Sequence, residues 1–514
     1  MPIVKVPAAG QIGVVKDLSS IALPSNAWSD ANNIRFLDGY AMQTLGYGAV
    51  YDPPSVIPFH IRMVLSGTTR YLLYAGTGKI YAVNGVTHTD LTRAAGGDYA
   101  GTANGWTSCS LSGIPIFADG SATNYPQSWD TNIAHKFADL ANWPANTYCK
   151  SIRSFKSSLI ALNITKTTTN YPYMVKWSTE ADPGTVPTSW NEADPAVDAG
   201  EFDLADGGDI IVDGLPLRGS FMIYKTNSCW RMDYTGGAYV YSFNKVGGTS
   251  GLLAKNCIVE MDGWHFVVGG SDIYIHDGQN VQSVLDKQSR RDFYGELDST
   301  YYTRTFCFKN EFLNEICVAY CTNGGTSCTR MLVYNYVDKT VSFRDIPNLY
   351  HASSGMVESA TNTSWSSDSD PWPSDTSNWS QVNFTPDSAR TILASANTKL
   401  YLMDSSLTNA GTAIDAYLER TGLHFEAPES IKLVKGIRPR IYGSPGETVI
   451  ISVGSSNEPY GVPVYTQMTH TIGSTVADDC LVSGRYIAIK FETGDAFSWK
   501  MDNYDVDVEI TSGW

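Results

Sequence analysis

The sequence predicts an all-β protein: a β-propeller of about six or seven antiparallel blades with a C-terminal β-sandwich platform domain. Three observations lead there. The 514 residues include 45 Gly, 30 Tyr and 13 Trp but only 17% charged residues, against roughly 25% in an ordinary globular domain, and helix-forming runs of Glu, Lys, Ala and Leu are nearly absent. A strand, tight turn, strand pattern returns at Arg70 to Val83, Trp264 to His276 and Thr391 to Met403, each copy followed by a turn pair (Asn84-Gly85, Asp277-Gly278, Asp404-Ser405). Between the second and third copies, the strand-like runs Tyr301 to Phe308, Asn314 to Tyr320, Met331 to Tyr336 and Thr340 to Arg344 make an antiparallel meander of about 45 residues, the size of one propeller blade.

In chain order, residues 1–50 read as an extended N-terminal segment holding a distinctive stretch, Leu18 to Tyr47 (LSSIALPSNAWSDANNIRFLDGYAMQTLGY). Pro24-Ser25-Asn26 and Asp38-Gly39 are turn signals flanking Ile34-Arg35-Phe36-Leu37, a short strand tucked against a larger sheet. Residues 51–405 have room for six or seven units of roughly 50 to 60 residues, which stack radially because a lone meander cannot bury both faces. A pair of sandwiches is the rival arrangement. Residues 346–390 break the pattern with a polar insertion (SSDSDPWPSDTSNW), expected on the surface, where Trp365, Trp372 and Trp379 either cap a blade or dock a partner. In residues 406–514, alternating runs at Thr412 to His424, Glu429 to Tyr442, Glu447 to Gly454, Arg485 to Glu492 and Asp505 to Thr511 mark the half-buried antiparallel strands of a separate sandwich.

Charge narrows the function classes. A net charge of −16 argues against a tight nucleic-acid grip, which comes from Lys and Arg neutralising phosphates. The same acidity suits solubility, and it suits a pore through which DNA slides without sticking. Met1 to Gln11 lacks the basic start and apolar run of a signal peptide, so the expected site of synthesis is a cytoplasm. Nine scattered cysteines fit a reducing compartment with buried free thiols.

No constellation gathers reacting groups. Gly76-Thr77-Gly78-Lys79 lacks the glycine and the Ser or Thr that a phosphate loop requires, since Leu73 and Ile80 occupy those places. Cys307, Cys317, Cys321 and Cys328 are separated by nine, three and six residues, not the paired short spacings of structural zinc, so burial as small hydrophobes is their expected fate. Cys321 and Cys328 flank the Asn323-Gly324-Gly325 hairpin and are candidates for a disulfide. Asp119, Asp206, Asp213 and Asp277 read as turn residues capping backbone, not as a converging acid pair for glycoside hydrolysis. His265 and His276 are neighbours across a hairpin, and the Asn-x-Thr triplets carry no weight without a signal peptide. Catalytic, cofactor and metal sites are therefore predicted to be none, and the chain is expected not to be an enzyme.

The order Leu-Pro-x-x-Ala-Trp-Ser-Asp-x-x-Asn-Ile-Arg-Phe-x-Asp-Gly in Leu23 to Gly39 resembles the opening of tail nozzle, or tail hub, proteins of short-tailed bacteriophages, the phage stabilisation proteins. Further matches follow in order: Ile116 to Gly120 with Pro126 to Trp129, Val175 to Ser178 before Asp182-Pro183, Ile223 to Trp230, Asp272 to Gly278, and Gly484 to Ile489. The resemblance implies a structural virion component, a hexameric ring that joins the adaptor ring to the distal needle, spikes or fibres. It also implies a channel for double-stranded DNA, a place in the virion tail after assembly in the host cytoplasm, and contact with the host cell surface. Six copies at −16 each would carry −96. The alternative is a receptor-binding or polysaccharide-cleaving tail propeller, with Trp365, Trp372 and Trp379 stacking on sugar faces.

Overall fold

The computed structural model describes residues 3–237, 239–248, 250–285, 288–356 and 389–513. They form two all-β units, a propeller and a sandwich. Five four-stranded antiparallel meanders follow one another as blades 1 to 5, beginning with the innermost strands His60–Ser66, Thr107–Leu111, Thr147–Phe155, Ile211–Leu217 and Ile258–Met261. A seven-stranded sheet supplies two more blades because one strand, Thr340–Met356, serves both. Its first part is the outer strand of blade 6, after Phe306–Asn310, Glu315–Tyr320 and Cys328–Asn335. Its second part, past a register shift between Leu349 and His351, is the innermost strand of blade 7 and pairs with Ala389–Ser395.

Blade 7 is completed from the other end of the chain. Gly46–Ala49 pairs with Lys399–Ser406 as the outermost strand, so an N-terminal piece closes the ring. Apolar clusters fill the gaps between neighbouring blades. Leu73, Trp106, Phe117 and Trp129 pack between blades 1 and 2, and Ile61, Leu72, Ile392 and Leu400 between blades 7 and 1. Each blade thus buries both faces against its neighbours, the condition that a single meander cannot meet.

The three sequence hairpins turn out to be one structural element, the second and third strands of a blade. They are Thr69–Ala75 with Ile80–Asn84 in blade 1, Trp264–Val268 with Ile273–His276 in blade 5, and Ala389–Ser395 with Lys399–Ser406 in blade 7. The polar insertion begins later than its composition suggests, because residues 346–356 belong to a strand. Trp365, Trp372 and Trp379 lie outside the described residues.

The sandwich is woven from both ends of the chain. One sheet runs Ile34–Leu37, Tyr40–Gln43, Lys500–Gly513, Ser430–Tyr442 and Asp478–Gly484, with Ile3–Val6 added beside Lys500–Gly513. The other runs Asp30–Asn32, Ala416–Leu423, Tyr486–Thr493, Thr448–Ser456 and Val464–Thr471. Residues 1–50, set apart in the sequence, therefore supply strands to the sandwich sheets and then, at Gly46–Ala49, to the propeller. Trp28 anchors the sandwich core, packing on Phe491 and Tyr504 at ring-centroid distances of 6.2 and 6.1 Å while its indole N–H donates to the Ala9 carbonyl at 2.7 Å.

Candidate functional site

Two polar constellations stand out from the apolar framework: the junction between propeller and sandwich, and the propeller axis.

At the junction the turn chemistry read from the sequence positions the contacts. Asn33 adopts a left-handed backbone (φ 53°), which Asn tolerates and which turns its amide toward the propeller. Its Nδ2 donates to Asp345 Oδ2 (2.9 Å) and to the Asp415 carbonyl (2.7 Å), and its Oδ1 accepts from the Asp345 amide (2.9 Å). The two-residue turn Asp38-Gly39, both at positive φ, then folds Ile34–Leu37 back on Tyr40–Gln43.

From that hairpin Arg35 reaches into the propeller. Its Nε donates to Glu315 Oε1 (2.5 Å), and its Nη2 donates to Glu315 Oε2 (3.1 Å) and Asp404 Oδ2 (2.8 Å). Arg344 takes the other Asp404 oxygen (3.0 Å) and donates to the Leu45 carbonyl (2.8 Å). The Glu315 side chain is 1% exposed, Arg35 7% and Asp404 10%. Burial alone would raise the Asp404 carboxyl, but Arg35 and Arg344 outweigh it and hold the group below its ordinary range. This is a two-Arg, two-carboxylate cluster in which each charge has an opposite partner, the condition under which burying charges is tolerated.

The axis is lined by the innermost strands and the turns that lead into them. Asp213, on Ile211–Leu217, is 1% exposed. It accepts from Arg153 Nε (3.0 Å) and Nη2 (2.6 Å), from Ser151 Oγ (2.6 Å) and from the backbone amides of Gly214 and Asn256 (2.9 and 3.1 Å). The turn role expected from its sequence setting is corrected, since Asp213 faces the axis on a strand and pairs with an arginine. Asp119 and Asp277 do accept hydrogen bonds from backbone amides close by, and Asp206 pairs with Lys245. Asn104, before blade 2, reaches across to the carbonyls of Lys255 (3.0 Å) and Thr305 (3.2 Å) before blades 5 and 6, and it accepts from Asn256 Nδ2 (2.9 Å). These cross-links close the axis with side chains.

The remaining candidates fall as follows. Cys321 and Cys328 are brought together as buried free thiols, their sulfurs 3.8 Å apart, a contact without a bond. His265 and His276 face each other across blade 5 and share Tyr224 of blade 4. Among the described residues no group of three or more His, Cys, Asp and Glu is arranged to hold a metal ion. The junction was the part that sequence reasoning missed. Its signal was present in the clustering of Asn32, Asn33 and Arg35 within an otherwise apolar strand pair.

No protein-family model matches the chain, and no curated protein matches it. Among solved structures it is similar to the exo-β-1,3-galactanase of Phanerochaete chrysosporium in complex with galactose, at 9% identity and a TM-score of 0.23, over 69% of this chain and 95% of that one. That protein is an enzyme, and the expectation that this chain is not one is withdrawn. The expectation also rested partly on reading Asp213 as a turn residue, so it is corrected here. At this TM-score the likeness carries nothing about substrate or mechanism.

Proposed function

We propose that the chain is a structural component of a short phage tail, a nozzle or hub subunit that assembles as a homohexameric ring, joins the adaptor to the distal needle, spikes or fibres, and surrounds the path of genome ejection. The observation that carries this reading is the placement of the stretch Leu23 to Gly39, on which the resemblance chiefly rests. Within it Trp28 fills the sandwich core, Asn33 and Arg35 bind the propeller, and Asp38-Gly39 makes the returning turn. A sequence signature spent on holding two all-β units together suits a subunit that transmits mechanical load. The later matched stretches lie in blades 2, 3, 4 and 5 and in the sandwich strand Tyr486–Thr493, again as framework.

Electrostatics are compatible with this role. A subunit of net charge −16 repels phosphate at long range, so a ring of them guides a duplex without holding it. Because the propeller axis is closed by Asn104, Asn256, Arg153 and Asp213, the channel in this reading lies between copies and not through one propeller.

Light scattering on a sizing column, followed by negative-stain imaging, tests the reading. The expected result is a sixfold ring, formed by the protein alone or on an adaptor ring. A persistent monomer that binds or depolymerises surface polysaccharide, with no assembly on an adaptor, would overturn it.

A further inference from the structure

The cations around the propeller axis outnumber the carboxylates that meet them. Arg153 is matched by Asp213. Among the described residues, Arg62, on the innermost strand of blade 1, has as its hydrogen-bond partners only the Ser108 carbonyl and hydroxyl oxygens, each 3.3 Å from Nη1. Arg153 donates to the same Ser108 carbonyl at 3.1 Å, so the two guanidiniums converge on one backbone oxygen from blades 1 and 3. Like charges brought this close and partly removed from water repel unless an anion lies between them.

Two histidines complete the cluster. His60 stands two residues before Arg62 on the same strand face, is 3% exposed, and contacts the Ser108 hydroxyl through Nε2 at 2.8 Å. Its Nδ1 is buried and has no hydrogen-bond partner among the described residues. His351, on the innermost strand of blade 7, lies against it at a ring-centroid distance of 4.1 Å. The Nδ1 of His351 accepts from the Ile61 amide (3.4 Å), which assigns the ring proton to Nε2 and makes that nitrogen a donor. The inventory is therefore an arginine fork, an orphaned imidazole nitrogen and an imidazole N–H gathered from blades 1 and 7, with a second arginine from blade 3. Among the described residues no carboxylate pairs with Arg62.

We propose that this cluster is a binding site for a small oxyanion of the phosphate or sulfate class, held by Arg62 with His60 and His351 and supported by Arg153. The anion supplies the charge that Arg62 lacks and the acceptor that His60 Nδ1 lacks, and it links the innermost strands of blades 7, 1 and 3. The site does not depend on the role in a phage tail.

Titration of the full chain with inorganic phosphate at constant ionic strength, followed by calorimetry and by melting temperature, tests the assignment, with sulfate as a second arm and chloride as the reference. Saturable binding of one anion per chain is expected, with a rise in melting temperature that chloride does not reproduce. R62M should weaken phosphate binding at least tenfold. If R62M does not fold, R62K and H351N serve instead, each keeping a compact side chain while removing the fork or the imidazole donor. Absence of any phosphate effect beyond that of chloride, or undiminished binding in the foldable variants, would overturn the proposal.

Discussion

Arg35 and Glu315, 280 residues apart in sequence, form a buried bidentate pair that joins the sandwich to blade 6 of the propeller. The same guanidinium holds Asp404 of blade 7, so one side chain spans three structural parts. Removing one partner from such a cluster leaves a buried carboxylate without compensation, which typically costs about 3 to 5 kcal/mol. R35M is therefore expected to lower stability by about that amount in urea unfolding, and R35M/E315L to recover a large part of the loss. A loss under about 1 kcal/mol for R35M would mean that the cluster is screened like a surface pair.

Closure of blade 7 depends on a missing side chain. A Cβ at Gly46 would lie 2.2 Å from the Thr408 carbonyl oxygen and 2.7 Å from Asn409 Oδ1, so the backbone of the closing strand approaches where only glycine fits. G46A is expected to cost about 1 to 3 kcal/mol, the range for forced overpacking. The loss should be local. Hydrogen exchange should accelerate in Gly46–Ala49 and Lys399–Ser406 before blades 2 to 5 change, whereas uniform acceleration would argue that the ring does not close through this strand.

What could be read from the sequence follows from how each strand is buried. The second and third strands of a blade are covered on both faces, so they appear as apolar runs such as Tyr71 to Ala75 and His265 to Val268, and the hairpins were visible. Innermost strands carry polar side chains toward the axis: His60 and Arg62 in blade 1, Asp213 in blade 4. Their alternation is therefore blurred. Blade 7 was hardest because its innermost strand continues from blade 6 through Pro347 and Asn348, the latter at φ 52°, where composition signals a loop. The N-terminal strands announced their turns but not their partners, since Ala41 pairs with Met501 and Ile3 with Asp507. Pairing over such a separation leaves no local trace in the chain. The axis cluster was invisible for the same reason, as its members come from separate blades.

Lys255 gives a test at alkaline pH. Its ammonium donates to the Gly105 carbonyl (2.9 Å), and burial pushes its pKa down to about 8. The unfolded chain keeps that proton to about pH 10.4. Between these values the unfolded state binds more protons, so this group makes stability rise with pH across that window. Lys432 is lowered to about 8 as well, and burial raises Cys109 and Cys149, which pulls the other way, so the test is the difference between two profiles: K255M should be no less stable than the parent at pH 7, and the parent should gain on it in melting temperature between about pH 8 and 10. A K255M profile that still climbs in parallel with the parent would assign the rise to other groups.

A chain of neutral imidazoles contributes to acid sensitivity, beside His60 and His351, which burial lowers in the same direction. The Gly278 amide donates to His276 Nδ1 (3.1 Å), which leaves His276 Nε2 to donate to Tyr224 Oη (2.5 Å). The Tyr224 hydroxyl then donates to His265 Nδ1 (2.7 Å), and His265 Nε2 donates to the Pro216 carbonyl (2.9 Å). Every acceptor nitrogen is already occupied by a donor, so an added proton breaks a link, and burial opposes it further, lowering His265 to about 3 and His276 to about 4. In the unfolded chain the same residues titrate near about 6.5. From there downward the unfolded state takes up protons first, so the stability contributed by these two histidines is full above about pH 6.5 and is lost progressively toward pH 4. Melting temperature should fall over that range, and H265Q/H276Q should make the fall shallower, at some cost in stability at pH 7, with His60 and His351 accounting for the slope that remains. Equal slopes for parent and variant between pH 6.5 and 4 would remove this hydrogen-bond chain as the origin of the acid sensitivity.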